Sequence, residues 1–238
     1  MCELFGMCCN HVDRATFSLR RFMKYSLDNP HGWGIGYFDK DQKPHLIRSP
    51  TIALEDPLYL QTAESAKSNI IIAHIRKKSR GKRCMNNCHP FLHESLNNNW
   101  IFAHNGTLGG FPRHDRSAGG TDSEQVFHYL LDQMEHYRQT GSFRGVYFGL
   151  QYGIKKVFEI SDPGTIKLNF LLSDGVILYA FNHYKKKPMY ILKRSKEHGD
   201  AFLISTRKLS EEHWEKLPRD KLLAVCNGKI LALSKRFG

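Results

Sequence analysis

The segment Ile70-Ile71-Ile72-Ala73-His74-Ile75-Arg76 constrains the fold most, because its apolar residues are consecutive. A strand with one wet face alternates apolar and polar side chains, so a β run of this kind is covered on both faces. Other runs share the pattern, such as 100–104 and 222–226, and further strand-like stretches lie at 3–9, 33–39, 45–48, 166–172, 176–181, 189–192, 201–205 and 229–233. Helical periodicity is confined to 15–25, 58–67, 122–137 and 144–160. Ser173-Asp174-Gly175 and Asn227-Gly228 fall between strands, where tight hairpins form. These elements predict an α+β fold, with antiparallel sheets covered by helices. Two irregular stretches remain, 77–94 and 107–120, and loops of that length inside a domain usually carry function.

The 238 residues show no repeat, low-complexity tract or Pro/Ser-rich linker, so one domain over 1–238 is expected. At 41% hydrophobic and 24% charged the composition excludes a disordered chain. The longest apolar runs are broken by His74 and by Ser173-Asp174-Gly175, so no membrane span is expected. Glu3 stands where a secretory leader would be basic, which predicts a cytoplasmic, reducing setting in which the six cysteines are free. A formal charge of +12 could steer nucleic acid or anionic metabolites. The densest run, Arg76 to Arg83, reads as a solvated loop or a phosphate-binding stretch. No RNA-recognition, KH or zinc-finger pattern accompanies it, so a nucleic-acid partner is not expected.

Cys2 is informative by position. With Met1 removed, it would carry a thiol and an α-amine whose ordinary pKa is about 7.7–8.0, so nucleophile and base would belong to one residue. Arg76 closes an apolar strand with a planar fork suited to a carboxylate. Asn105-Gly106 has two readings: a side-chain amide and backbone N–H converging on an oxyanion, or a plain type I′ turn. From Gly119 the chain runs into Thr121-Asp122-Ser123-Glu124, which fits a capping box, and Asp122 there suits either the helix dipole or a substrate ammonium group.

Taken together, Cys2-Glu3-Leu4-Phe5-Gly6, Gly32-Trp33-Gly34-Ile35-Gly36, Ala73-His74-Ile75-Arg76, Asn87-Cys88-His89-Pro90-Phe91, Trp100 to Gly106 and Thr121-Asp122-Ser123-Glu124 resemble the glutaminase domain of class II glutamine amidotransferases, the N-terminal-nucleophile hydrolases. Asn169 to Gly175 and Ser205 to Leu209 resemble the second half of the stand-alone members. The resemblance implies a four-layer αββα sandwich and hydrolysis of a γ-glutamyl amide, such as glutamine, through a thioester on Cys2. It further implies Asn105 and Gly106 at the oxyanion, Arg76 on the substrate α-carboxylate and Asp122 on its α-amine. Ser79, where the family often has Thr, could also contact the carboxylate. The loop 77–83 matches the segment that closes over glutamine, and its five Lys/Arg depart from that pattern in a way that favours an anionic substrate or partner.

With the chain ending at Gly238, no fused synthase domain is expected. The alternatives are delivery of ammonia to a separate acceptor protein and, in a different class, an inactive basic binding module for nucleic acid or a protein. No cofactor is implied. Cys8, Cys9, His11, Cys84, Cys88, His89 and His93 offer soft ligands, but their spacing fits no usual zinc pattern, so no structural metal is expected. Cys8 and Cys9 alternate faces of a strand, and Trp33 and Trp100 are expected in the core or a pocket wall.

Overall fold

The computed structural model describes residues 2–79, 81–117, 120–137, 142–194 and 199–237, so Met1, Arg80 and Gly119 lie outside the described residues. In chain order the strands are β1 (Glu3–Asp13), β2 (Trp33–Phe38), β3 (Pro44–Ser49), β4 (Ser68–Ile75), β5 (Phe91–Ser95), β6 (Asn98–Thr107), β7 (Lys167–Ser173), β8 (Ile177–Asn182), β9 (Tyr190–Arg194), β10 (Ala201–Ser205), β11 (Glu215–Lys216), β12 (Leu222–Cys226) and β13 (Lys229–Leu233). The helices are α1 (Thr16–Phe22), α2 (Pro57–Ser65), α3 (Asp122–His136) and α4 (Phe143–Ile160). One sheet has the order β11-β9-β10-β1-β4-β2-β3 and the other β13-β12-β8-β7-β6-β5, with antiparallel neighbours throughout.

Three apolar clusters separate the layers. Leu4, Cys8, Ile70, Ile72, Ile101 and Leu171 pack between the sheets. Phe5, Cys9, Trp33, Ile71 and Ile75 face the other way, against Leu19 and Phe22 of α1 and Tyr59 of α2. Trp100, Phe102 and Phe170 meet Phe127 and Leu131 of α3 and Leu150 and Ile154 of α4. The consecutive apolar residues of β1 and β4 therefore serve two cores at once, and the expected four-layer sandwich is what the sequence builds. Cys8 and Cys9 are both buried, on opposite faces.

The hairpin signals hold. Gly175 has φ +90°, while Asp174 Oδ1 accepts the N–H groups of Val176 and Ile177. Asn227 (φ +49°) and Gly228 (φ +71°) join β12 to β13 with the left-handed pair that a type I′ turn needs. Helix boundaries shift. The run expected over 15–25 is α1 followed by a 3₁₀ turn, Met23–Ser26, and the run over 58–67 is α2, where Pro57 occupies the first turn and Asp56 accepts the Leu58 N–H at 3.0 Å. The stretch 77–94 holds a strand the sequence did not reveal: β5 is a sheet edge with Phe91 and Ser95 buried and Leu92 and Glu94 outward, so its polar residues read as loop. The two-residue β11 was also missed.

Candidate active site

Cys2 stands immediately before β1, the strand flanked by β4 and β10, where Glu3 lies opposite Ile75 and Phe5 opposite Ser205. Arg76 and Lys77 follow β4, so the register delivers them beside Cys2. The thiol donates to the Lys77 carbonyl (3.4 Å) and accepts the Lys77 N–H (3.2 Å). Burial pushes the thiol up from its ordinary value, and the Lys77 backbone bond and the Arg76 charge oppose the shift.

Asn105 and Gly106 lie inside β6, opposite Asn169 and Leu168 of β7, and the strand runs on to Thr107. The type I′ turn reading of Asn105-Gly106 is thereby excluded. Asn105 Nδ2 donates to the Cys2 carbonyl at 2.7 Å. At Gly106 a Cβ would sit on the Lys167 carbonyl oxygen and against His104 Nε2, so only glycine permits this strand approach.

Arg76 is buried, its backbone N–H bonded to the Gly32 carbonyl (2.7 Å) and its Nη1 to the Lys82 carbonyl (3.3 Å). Ser79 is exposed on the loop that follows. Asp122 opens α3, where Thr121 Oγ1 accepts the Glu124 N–H (3.4 Å) as a capping box requires, while Asp122 Oδ2 accepts the Leu108 N–H (2.8 Å). Cys2, Arg76, Ser79, Gly106 and Asp122 line one cleft, and Asn105 reaches it through the Cys2 carbonyl. A thiol, a guanidinium and a carboxylate thus share one wall system at the mouth of two sheets.

Three histidines form the floor, and residue patterns had given them no role. His74, His89 and His104 line the same cleft and are all buried. The His74 and His89 rings lie 4.3 Å apart. His104 Nδ1 pairs with Ser123 Oγ (2.9 Å) and Nε2 with the Lys167 carbonyl (3.1 Å), and the His104 N–H donates to His89 Nδ1 (3.3 Å). Burial lowers all three: His74 to about 3, with Arg76 adding to the effect, His89 well below the usual imidazole range, and His104 as well, against the opposing charge of Asp122. The signal available was each histidine's position in an apolar run or before Pro90. Gly34 permits the packing, since a Cβ there would collide with the His89 carbonyl.

On the other flank, Glu3 is completely buried. Its Oε1 meets Lys187 Nζ (2.5 Å) and Arg207 (Nε 3.0 Å, Nη2 2.9 Å), and its Oε2 accepts the Thr206 hydroxyl (2.6 Å). The sequence offered no hint of this group, whose members lie some two hundred positions from Glu3.

Trp33 and Trp100 are core residues, their indole N–H groups donating to Asp56 (3.0 Å) and the Ser95 carbonyl (2.9 Å). Cys88 Sγ bonds to the Ser49 and Cys84 carbonyls, and among the described residues no three His, Cys, Asp or Glu groups converge as metal ligands would. No described helix is long and apolar enough to cross a membrane.

Glutamine amidotransferases class-II is the family whose model matches residues 1–205, and the chain belongs to it. An uncharacterized protein of Methanocaldococcus jannaschii is 33% identical over 100% of this chain and 72% of its own length. A Haemophilus influenzae protein named "Putative glutamine amidotransferase" is 31% identical over 98% of this chain and 86% of its own. The crystal structure of a Pseudomonas aeruginosa protein described as a predicted glutamine amidotransferase superposes with a TM-score of 0.70 at 22% identity, covering 97% of this chain and 99% of that one, and so shares the fold. The chain is therefore an enzyme of the amidotransferase class acting on a small molecule, built on the N-terminal-nucleophile architecture.

Proposed function

We propose that residues 1–238 form one domain that hydrolyses a γ-glutamyl amide with Cys2 as nucleophile. Arg76 and Ser79 receive the substrate α-carboxylate, Asp122 its α-ammonium, and Asn105 Nδ2 with the Gly106 N–H the oxyanion. The observation that supports this reading is the shared cleft, whose lining includes a thiol, a buried guanidinium and a carboxylate, the groups that a zwitterionic glutamyl head calls for.

In the first half-reaction the Cys2 Sγ–carbon bond forms as the amide C–N bond breaks, and the thiol proton ends on the departing nitrogen. Water then cleaves the γ-glutamyl thioester to glutamate. The raised thiol needs a base, and the histidines are poor ones: both ring nitrogens of His104 are engaged, His89 Nδ1 takes the His104 N–H, and His74 is protonated only near pH 3. The α-amine of Cys2 fits the task, so the proposal requires removal of Met1. Six free cysteines support a reducing, cytoplasmic setting.

Intact mass, ammonia release from glutamine and γ-glutamyl peptides, and labelling by a glutamine-like diazoketone test the proposal together. A single adduct on an N-terminal Cys2 with glutamate formed is the expected result. Labelling at Cys84 or Cys88 in preference to Cys2, or an active Cys2→Ala variant, overturns it.

A further inference from the structure

The peptide group between Lys77 and Lys78 has a partner at each end of its dipole. Its carbonyl accepts the Cys2 thiol proton (3.4 Å), and its N–H donates to His31 Nδ1 (3.0 Å). A trans peptide is planar, with C=O and N–H pointing opposite ways, so neither end can change partner without the other. His31 thus stands behind the nucleophile, one peptide group away from its sulfur.

The backbone holds the imidazole in place. The His31 N–H donates to the Arg76 carbonyl (3.0 Å) and the Arg76 N–H to the Gly32 carbonyl (2.7 Å), which continues the β2–β4 pairing past Trp33 and Ile75. Gly32, with φ +135°, has no room for a Cβ, which would meet Cys88 Sγ and the Ser49 carbonyl. Because a backbone N–H can only donate, Nδ1 presents its lone pair, and the proton of the neutral ring is on Nε2. Burial, with the cationic charges of Arg83, Lys78, Arg76 and Lys77, lowers His31 from its ordinary value and so favours that neutral form.

The two groups that Lys77 turns to the sulfur act in opposite senses. Its N–H (3.2 Å) steadies a thiolate, whereas its carbonyl accepts from a thiol and repels the anion. With the Lys78 N–H released from His31 the peptide is free to turn, and two successive N–H groups then face the sulfur as an anion-binding nest. We infer that His31 is a positioning residue: by holding the Lys78 N–H it keeps the Lys77 carbonyl on Cys2 and the nucleophile in its protonated, resting form. The inference rests on Cys2 as the nucleophile proposed above and adds a control on its ionisation. A thiol held as S–H reacts slowly with oxidants and alkylating agents, so this arrangement protects the sulfur between turnovers.

The test is the pH dependence of iodoacetamide alkylation at Cys2 in the parent, His31→Leu and His31→Asn. It is followed by peptide mass on chain whose N-terminal residue is confirmed as Cys2. Leucine has bulk and no acceptor, while the asparagine Oδ1 can take the Lys78 N–H as Nδ1 does. Arg76, Glu3 and the amino terminus, the other charges acting on the sulfur, are the same in all three proteins. His31→Leu is expected to lower the midpoint by about one pH unit, and His31→Asn to restore the parent's profile. At pH 7 the leucine variant should react about threefold faster, because the gain in thiolate is partly offset by its weaker nucleophilicity. A midpoint that stays or rises in His31→Leu, or an asparagine variant that behaves as the leucine one does, removes the role of His31 while the nucleophile assignment stands. Histidine nitrogen NMR on the parent needs no variant to fold, and a proton on His31 Nδ1 at neutral pH likewise overturns the inference. Failure of the γ-glutamyl reading shows separately, as a parent enzyme that forms no glutamate from any γ-glutamyl amide.

Discussion

Asn105 donates from Nδ2 to the backbone carbonyl of Cys2 across 2.7 Å, tying β6 of one sheet to the residue that leads into β1 of the other. One N–H of the amide thus holds the Cys2 peptide, and in the proposed reaction the second meets a substrate oxygen. Asn105→Ala is expected to depress kcat by about 10²–10³, whereas Arg76→Lys, which keeps charge and loses the fork, should act chiefly through KM. Steady-state kinetics on both variants check this, and equally small losses would remove Asn105 from the oxyanion site.

Asp122 serves the fold through Oδ2, which accepts the Leu108 N–H, a bond an asparagine oxygen can also accept. Thr121 still caps α3 in that variant. Asp122→Asn is therefore expected to melt within a few degrees of the parent while losing about 10²–10³ in kcat/KM for a zwitterionic substrate. Thermal melting and kinetics on this one protein separate the two roles. Unchanged kcat/KM would confine Asp122 to the helix start.

Glu3→Gln leaves Lys187 and Arg207 facing a neutral amide. Removing one partner of a buried ion pair costs about 3–5 kcal/mol, and because both cations partly reach solvent the expected loss is nearer 2–3 kcal/mol. Urea unfolding measures it. A loss below about 0.5 kcal/mol would mean that solvent already screens the cluster.

The histidine floor makes stability depend on pH with a definite sign. His74 titrates near 3 in the folded chain against 6.5 ordinarily, so between those values the unfolded chain holds a proton that the native one lacks. Its contribution is complete above about pH 6.5 and is lost as pH falls toward 3, with a slope of about 1.4 kcal/mol per pH unit for one such group. His89 and His104, also lowered, steepen the decline. His74→Leu should flatten the slope between pH 6 and 4 by about one proton, read from urea unfolding at several pH values. A slope identical to the parent's would show that His74 is not the titrating group.

The layered fold was legible because β1 and β4 are apolar on successive residues, and the two turn signals fixed β7–β8 and β12–β13. The motif residues of the cleft were legible through order and type. Asn105-Gly106 was ambiguous because the same dipeptide serves a tight turn and a close strand approach, and only the Lys167 carbonyl above Gly106 decides. β5 hid because an edge strand tolerates polar residues on its open face. The Glu3 cluster was invisible for another reason: Lys187 lies between β8 and β9 and Arg207 just past β10, so only the folded chain brings them to Glu3, and no local window contains all three.

The strand that presents Cys2 is hydrogen-bonded on both sides and buried from Glu3 through Cys9. Chain ends ordinarily fray and exchange their amide protons through small local openings. Here the amides of 4–9 can meet solvent only when β4 or β10 separates from β1, which opens two cores at once. Their deuterium uptake should therefore follow global unfolding, and loss of activity in denaturant should coincide with loss of the fold.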